Sequence, residues 1–100
     1  MEKRQTLSKK IILSLLKLNM KHIKQYKVKR IGPFGSSLRD KQRKGSDLDF
    51  LVDFEKPTFD NYMDLKFLLE RLFHKKVDLV TENSLKPAIR YVKGEAIYVS

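Results

Sequence analysis

Apolar and polar positions recur along this chain with two different periods, and each change of period marks a new element. Leu7, Ile11, Ile12, Leu15, Leu16 and Ile23 return every three or four residues with lysines on the opposite side. That spacing predicts an amphipathic helix over residues 6–25, with Thr6 or Ser8 as its N-cap. The run Val28-Lys29-Arg30-Ile31-Gly32-Pro33-Phe34 reads as a short strand ended by glycine and proline. Residues 47–54 alternate, with Leu48, Phe50, Val52 and Phe54 on one side and Asp47, Asp49, Leu51 and Asp53 on the other. Such a period of two predicts a central strand with one face in a core. A second helical stripe, Tyr62, Leu65, Leu68, Leu69 and Leu72, predicts a helix from Thr58 or Asp60 to about His74. Lys76-Val77-Asp78-Leu79-Val80-Thr81 predicts a third strand. Ser84 and Pro87 suit the start of a last helix from Leu85 to about Glu95, and Ala96-Ile97-Tyr98-Val99 forms a short apolar tail. Strands joined by helices predict one α/β (α+β) domain over residues 1–100, a small mixed β-sheet with helices packed on one face.

The chemistry concentrates in Gly35-Ser36-Ser37-Leu38-Arg39 and in Gly45-Ser46-Asp47-Leu48-Asp49-Phe50. Alternate residues of a strand share a face, so Asp47 and Asp49 project from one side, about 6–7 Å apart. Two like charges so placed repel unless a cation stands between them. Mg²⁺ suits the position, because it takes carboxylate oxygens and keeps sites open for phosphate oxygens and water. A glycine-serine turn just upstream supplies backbone N–H groups and a hydroxyl, the groups that hold a phosphate. Phosphate turn plus metal carboxylates points to phosphoryl or nucleotidyl transfer. The plainer readings of the same residues are a turn glycine, an N-cap serine and solvated acids on an exposed sheet face. Asp53 reads as a strand-terminating polar residue, and His22 and His74 as a surface residue and a helix C-terminal residue.

Gly35-Ser36, ten residues, then Asp47-Leu48-Asp49 resembles the signature of the polymerase-β-type nucleotidyltransferases. Ile31 to Ser36 and Ser46 to Val52 are similar to the minimal nucleotidyltransferase subgroup, whose members are commonly the antitoxin half of HEPN/MNT toxin–antitoxin pairs. The tail, Val77 to Thr81 followed by Leu85 to Arg90, resembles the end of those proteins, so the likeness runs from about residue 28 onward. The chain departs from the family in carrying Arg39-Asp40 where Arg-Gly is frequent, within a basic segment, residues 40–45, that reads as a loop. The resemblance implies a polymerase-β-like nucleotidyltransferase fold. It further implies that Asp47, Asp49 and Asp78 hold two Mg²⁺, that Gly35 and Ser36, with Arg39 as a further candidate, cradle the triphosphate of ATP, and that Asp78 helps draw the acceptor's proton. The acceptor it implies is a tyrosine hydroxyl of a HEPN RNase toxin, which adenylylation disables. Larger relatives carry a second domain for the acceptor. One hundred residues leave no room for one, so a partner protein in a hetero-oligomeric complex is the expected source.

Composition changes this picture little. Hydrophobic residues at 41% and charged residues at 34% fit a globular chain, and no apolar run approaches a membrane span. The absence of cysteine and of a signal-like N-terminus sets a cytoplasmic expectation. The net charge of +10 suggests a polyanionic ligand: a nucleoside triphosphate, a nucleic acid or an acidic protein. Two rivals to catalysis follow. One is an antitoxin that masks its toxin by contact alone; the other is a basic nucleic-acid-binding module, which would need no Mg²⁺ and would bind with a steep salt dependence.

Overall fold

In the computed structural model, residues 8–38, 47–82 and 95–100 are described. The elements run α1 (Lys9–Leu18), α2 (Met20–Ile23), a 3₁₀ turn (Lys24–Tyr26), β1 (Val28–Pro33), a 3₁₀ turn (Gly35–Leu38), β2 (Leu48–Phe54), α3 (Phe59–Phe73) and β3 (Val77–Thr81). The predicted last helix lies outside the described residues apart from Glu95, as do Arg39 and the basic loop.

The first helix is shorter than the periodicity predicts and is broken at Asn19. Ser8 is its cap, its hydroxyl accepting from the Ile11 N–H at 3.2 Å; Thr6 lies outside the described residues. At Asn19 the backbone N–H is shared between the Leu15 and Leu16 carbonyls, and the side-chain Nδ2 donates to Leu15 O at 2.8 Å. An asparagine that satisfies the last carbonyls itself ends a helix, because its amide competes with the next turn's backbone. α2 then restarts at Met20, which keeps Met20 and Ile23 on the buried side.

β2 is the centre of a three-stranded sheet in the order β1-β2-β3, antiparallel to β1 and parallel to β3. The mixed α/β architecture is therefore the one the pattern predicts. A parallel pair needs a crossover, and α3 provides it. Leu48, Phe50, Val52 and Phe54 face Ile12, Leu16, Ile23, Leu65, Leu69 and Phe73 in one core cluster, so both helical segments cover the same sheet face. Phe50 stacks on Phe73 with ring centroids 5.5 Å apart. Each such fully buried side chain contributes about 1.5–3 kcal/mol.

The opposite face departs from simple alternation. Leu51 is fully buried although it lies outside that cluster. It pairs in register with Gly32, and the C-terminal tail crosses there: Ile97 N–H donates to Pro33 O, and Ile31 and Val99 exchange both backbone hydrogen bonds. The apolar tail thus extends the sheet beyond β1. On the same face Arg30 stacks on Tyr98, 4.1 Å from the ring centroid, with its Nε 3.5 Å from Glu82 and 3.7 Å from Asp53. The Tyr98 hydroxyl donates to Glu82. Burial first, and then that hydrogen bond, raise the Tyr98 phenol well above its usual range. Asp53 is an ion-pair partner at the end of the strand, in keeping with its reading as a structural residue.

The outer edge of β3 is closed by side chains of α3. Tyr62 donates to Leu79 O at 2.7 Å, and Glu70 Oε2 accepts from Val77 N–H at 3.0 Å and from Lys66 Nζ at 2.8 Å. Edge groups satisfied in this way no longer template another strand. The Lys66 hydrogen bond, followed by that of Val77, lowers the Glu70 pKa. A carboxyl depressed on folding stabilises the fold above its unfolded pKa, about 4.3, and loses that contribution as pH falls through its lower folded value. Glu70→Gln should therefore be less stable than wild type in urea titrations at pH 7. The gap should narrow steadily below about pH 4.

Candidate active site

The site forms where three strand ends meet. Because β1 is antiparallel to β2 and β3 is parallel to it, the exit of β1 and the entries of β2 and β3 lie at one end of the sheet. Register then does the rest. Pro33 pairs with Phe50, so the chain leaving β1 passes Asp49, and Phe34 N–H donates to Asp49 O at 3.1 Å. Asp49 pairs with Asp78 across the parallel ladder. Directly paired residues of neighbouring strands share a face, with backbones about 4.8 Å apart. Both carboxylates therefore project from the face opposite the helices. Asp49 is half-buried and Asp78 exposed; Asp47, two residues upstream on the same side, stands exposed just before β2 begins.

Gly35 turns the chain at this point with φ +60°, a left-handed conformation that costs other residues roughly 1–2 kcal/mol. It also has no room to spare: a Cβ there would lie 3.3 Å from Asp49 Oδ2. Backbone and carboxylate thus lie closer than a side chain at this position would comfortably allow. The turn Gly35–Leu38 includes Ser36, the predicted phosphate-binding serine, and Ser37, which the motif reading passed over. Ser37 is fully buried, and its Oγ accepts the Asp49 N–H at 2.6 Å. The second serine of Gly-Ser-Ser is thus what ties the turn to the carboxylate strand. Its only sequence signal is a small hydroxyl residue placed in a turn that must pack. Removing that acceptor leaves a buried N–H unsatisfied, so Ser37→Ala should cost about 1–3 kcal/mol of stability in denaturant titrations.

Among the described residues no group of three or more acidic or histidine side chains draws together as a metal cluster. Asp49 and Asp78 stand side by side and Asp47 stands beyond them. The donors here are carboxylate oxygens alone, a set that suits a hard cation such as Mg²⁺ rather than zinc or copper. Two carboxylates on paired residues also repel each other, which favours a cation between them. Tyr62, in the first turn of α3 with its hydroxyl on Leu79 O, has its phenol pKa raised by burial and then by the negative charge of Asp78. A separate cleft of about 570 Å³, lined by Phe54, Thr58, Phe59, Tyr62, Leu79 and Thr81, opens at the far ends of β2 and β3. His22 is exposed beside Tyr26, near the entry of β1 at the other end of the sheet; His74 caps α3 in a left-handed conformation four residues before Asp78, on the helix side of the sheet.

A glycine turn locked to paired strand carboxylates, on a three-stranded mixed sheet backed by helices, is the architecture of a nucleotidyltransferase. The sequence profile of the nucleotidyltransferase domain matches residues 13–99, and the chain belongs to that family. It is 40% identical over 91 residues to protein adenylyltransferase MntA of Thermococcus cleftensis, a match spanning 88% of this chain and 92% of that one. A solved structure described as a candidate minimal nucleotidyltransferase superposes with a TM-score of 0.78 at 32% identity, over 94% of this chain and 98% of the other. The fold also recurs, at 23% identity and a TM-score of 0.56, in a complex of tri-AMPylated Shewanella oneidensis HEPN toxin with its MNT antitoxin; that match covers 90% of this chain and 66% of the other. Among the described residues no helix is long and apolar enough to cross a membrane.

Proposed function

We propose that this enzyme is a Mg²⁺-dependent protein adenylyltransferase that moves AMP from ATP to a tyrosine hydroxyl of a HEPN toxin partner, and so acts as the toxin's antitoxin. The observation that carries the reading is the register that sets Asp49 beside Asp78 while Gly35 packs against the Asp49 carboxylate. The MntA relative carries the adenylyltransferase name, and the AMPylated HEPN toxin is the partner in a complex of the same fold.

In this reading the turn at Gly35 and Ser36 holds the triphosphate, with Arg39 as a further phosphate contact. Asp47, Asp49 and Asp78 are the residues that would hold the two metal ions. Bound Mg²⁺ supplies neutralisation of the triphosphate's charge. The acceptor oxygen bonds to the α-phosphorus while the bond from that phosphorus to the α–β bridging oxygen breaks. Pyrophosphate departs with the electron pair, and the hydroxyl proton passes to the Asp78 carboxylate and on to solvent. Since the protein forms no covalent bond, its contribution is positioning and electrostatic stabilisation. A partner that brings its own tyrosine suits so open a site, where Asp47 and Asp78 are both exposed.

Intact-mass spectrometry of a HEPN protein encoded beside this one, mixed with the enzyme and Mg-ATP, tests the reading. AMP-sized increments on the partner that vanish with EDTA or with Asp47→Asn would support it. A tight complex with no mass change, indifferent to ATP and Mg²⁺, would leave a masking antitoxin instead.

A further inference from the structure

The net charge of +10 is not spread along the chain. Residues 3–39 contain eleven lysines and arginines and no acid, whereas residues 40–100 contain eleven of each sign. Folding turns this asymmetry into a surface. Lys10, Lys17, Lys21 and Lys24 are exposed along α1, α2 and the turn that follows. The inner side of the same elements, Ile12, Leu16, Met20 and Ile23, is sealed in the core against Phe50 and Val52. The lysines therefore lie on the far side of the sheet from Asp49 and Asp78, whose carboxylates do not oppose an anion bound there.

Lys17 at the end of α1, Lys21 in α2 and Lys24 in the turn after it follow one another at intervals of four and three residues across the break at Asn19, all exposed. Like charges in such a row repel, and a bound polyanion relieves the repulsion. Ser14 is exposed in the same stripe, and His22 is exposed between Lys21 and Lys24 with its ring 5.8 Å from that of Tyr26. Protein-binding surfaces are depleted in lysine and anchored by buried Trp, Tyr or Arg. This face offers lysine, serine, Gln25 and one flat ring, with Ile11 and Leu18 exposed beside it on α1. Point charges that follow a backbone and a ring on which a base can stack are the means by which proteins hold single strands. Ser14 and Gln25 add a hydroxyl and an amide that can pair with a 2′-hydroxyl, the group that separates RNA from DNA.

We propose that the lysine face of α1 and α2 is a sequence-indifferent docking surface for single-stranded RNA, independent of the transfer site. The test is fluorescence anisotropy of a labelled RNA of about 12 nucleotides with the full chain, without Mg²⁺. Four lysine contacts give a log–log salt slope near −3, so binding should weaken about 50-fold between roughly 50 and 200 mM KCl. The charge-reversed variant K17E/K21E/K24E should lose the binding yet keep its circular dichroism, its melting temperature and its AMP transfer. Lys21→Gln, too mild to disturb folding, should lower the slope by about 0.7, and His22→Ala should weaken binding about 5-fold or more. No binding at low salt, or wild-type affinity in the charge-reversed variant, would overturn the proposal. Equal affinity for DNA of the same sequence would overturn its commitment to RNA. If charge reversal broke the complex with the partner protein but spared RNA binding, the face would be a protein interface instead.

Discussion

Asp49→Asn should abolish nucleotidyl transfer, lowering kcat about 10³-fold or more, without harming the fold. The substitution preserves shape, and the backbone bonds that fix this residue, from its N–H to Ser37 Oγ and from Phe34 N–H to its carbonyl, do not involve the carboxylate. What it removes is one negative charge from the pair with Asp78. That removal relieves the repulsion with Asp78, and thermal melts should show that the lost activity is not lost fold. Asp78→Asn should behave in the same way. The double variant should be no worse than either single one, because groups that act as a unit are lost together. Rates of AMP incorporation by intact mass, paired with thermal melts, separate the outcomes. Transfer near the wild-type rate in Asp49→Asn would move the chemistry away from this end of the sheet.

Gly32→Ala should produce the largest loss of stability of any single added methyl group in the described part of the chain. A Cβ on Gly32 would lie 2.2 Å from Ile97 O, 2.6 Å from Ile97 C and 2.9 Å from Tyr98 Cα. These are backbone atoms and cannot swing aside as a side-chain tip would. To admit the methyl group the tail must leave β1, giving up the Ile31–Val99 hydrogen-bond pair, the burial of Val99 and the Tyr98 contacts to Arg30 and Glu82. Those losses together come to about 3–5 kcal/mol. For a domain of this size that lowers Tm by more than about 12 °C. A chain lacking residues 97–100 provides the control: there Gly32→Ala should cost little, so the two changes should be strongly non-additive. An equal loss in both backgrounds would show that the strain does not come from the tail. β1 also leads directly into the Gly35 turn, so tail displacement should raise KM for ATP before the fold fails.

Much of this molecule was legible in advance. The alternation around Asp49 gave the central strand and its inward face, since a period of two leaves one way to bury Leu48, Phe50, Val52 and Phe54. The Leu65–Leu69–Phe73 stripe similarly gave α3. The break at Asn19 was not visible, because Met20 and Ile23 continue the apolar pattern and only the capping bonds of one amide reveal the interruption. Leu51 was assigned to the polar side by alternation, and its complete burial shows that the sheet is covered on both faces at this point.

The division follows from the range of the forces involved. Local sequence determined the elements, the glycine turn and the identity of the carboxylates, because dihedral preference and side-chain period act over a few residues. The pairing of Asp49 with Asp78, the lock from Ser37 to the Asp49 N–H and the crossing of the tail over Gly32 were decided only by tertiary structure. Strand order and register are set by how the whole core closes, so residues twelve, twenty-nine or sixty-five positions apart in the chain become neighbours only once Phe50 and its partners are buried.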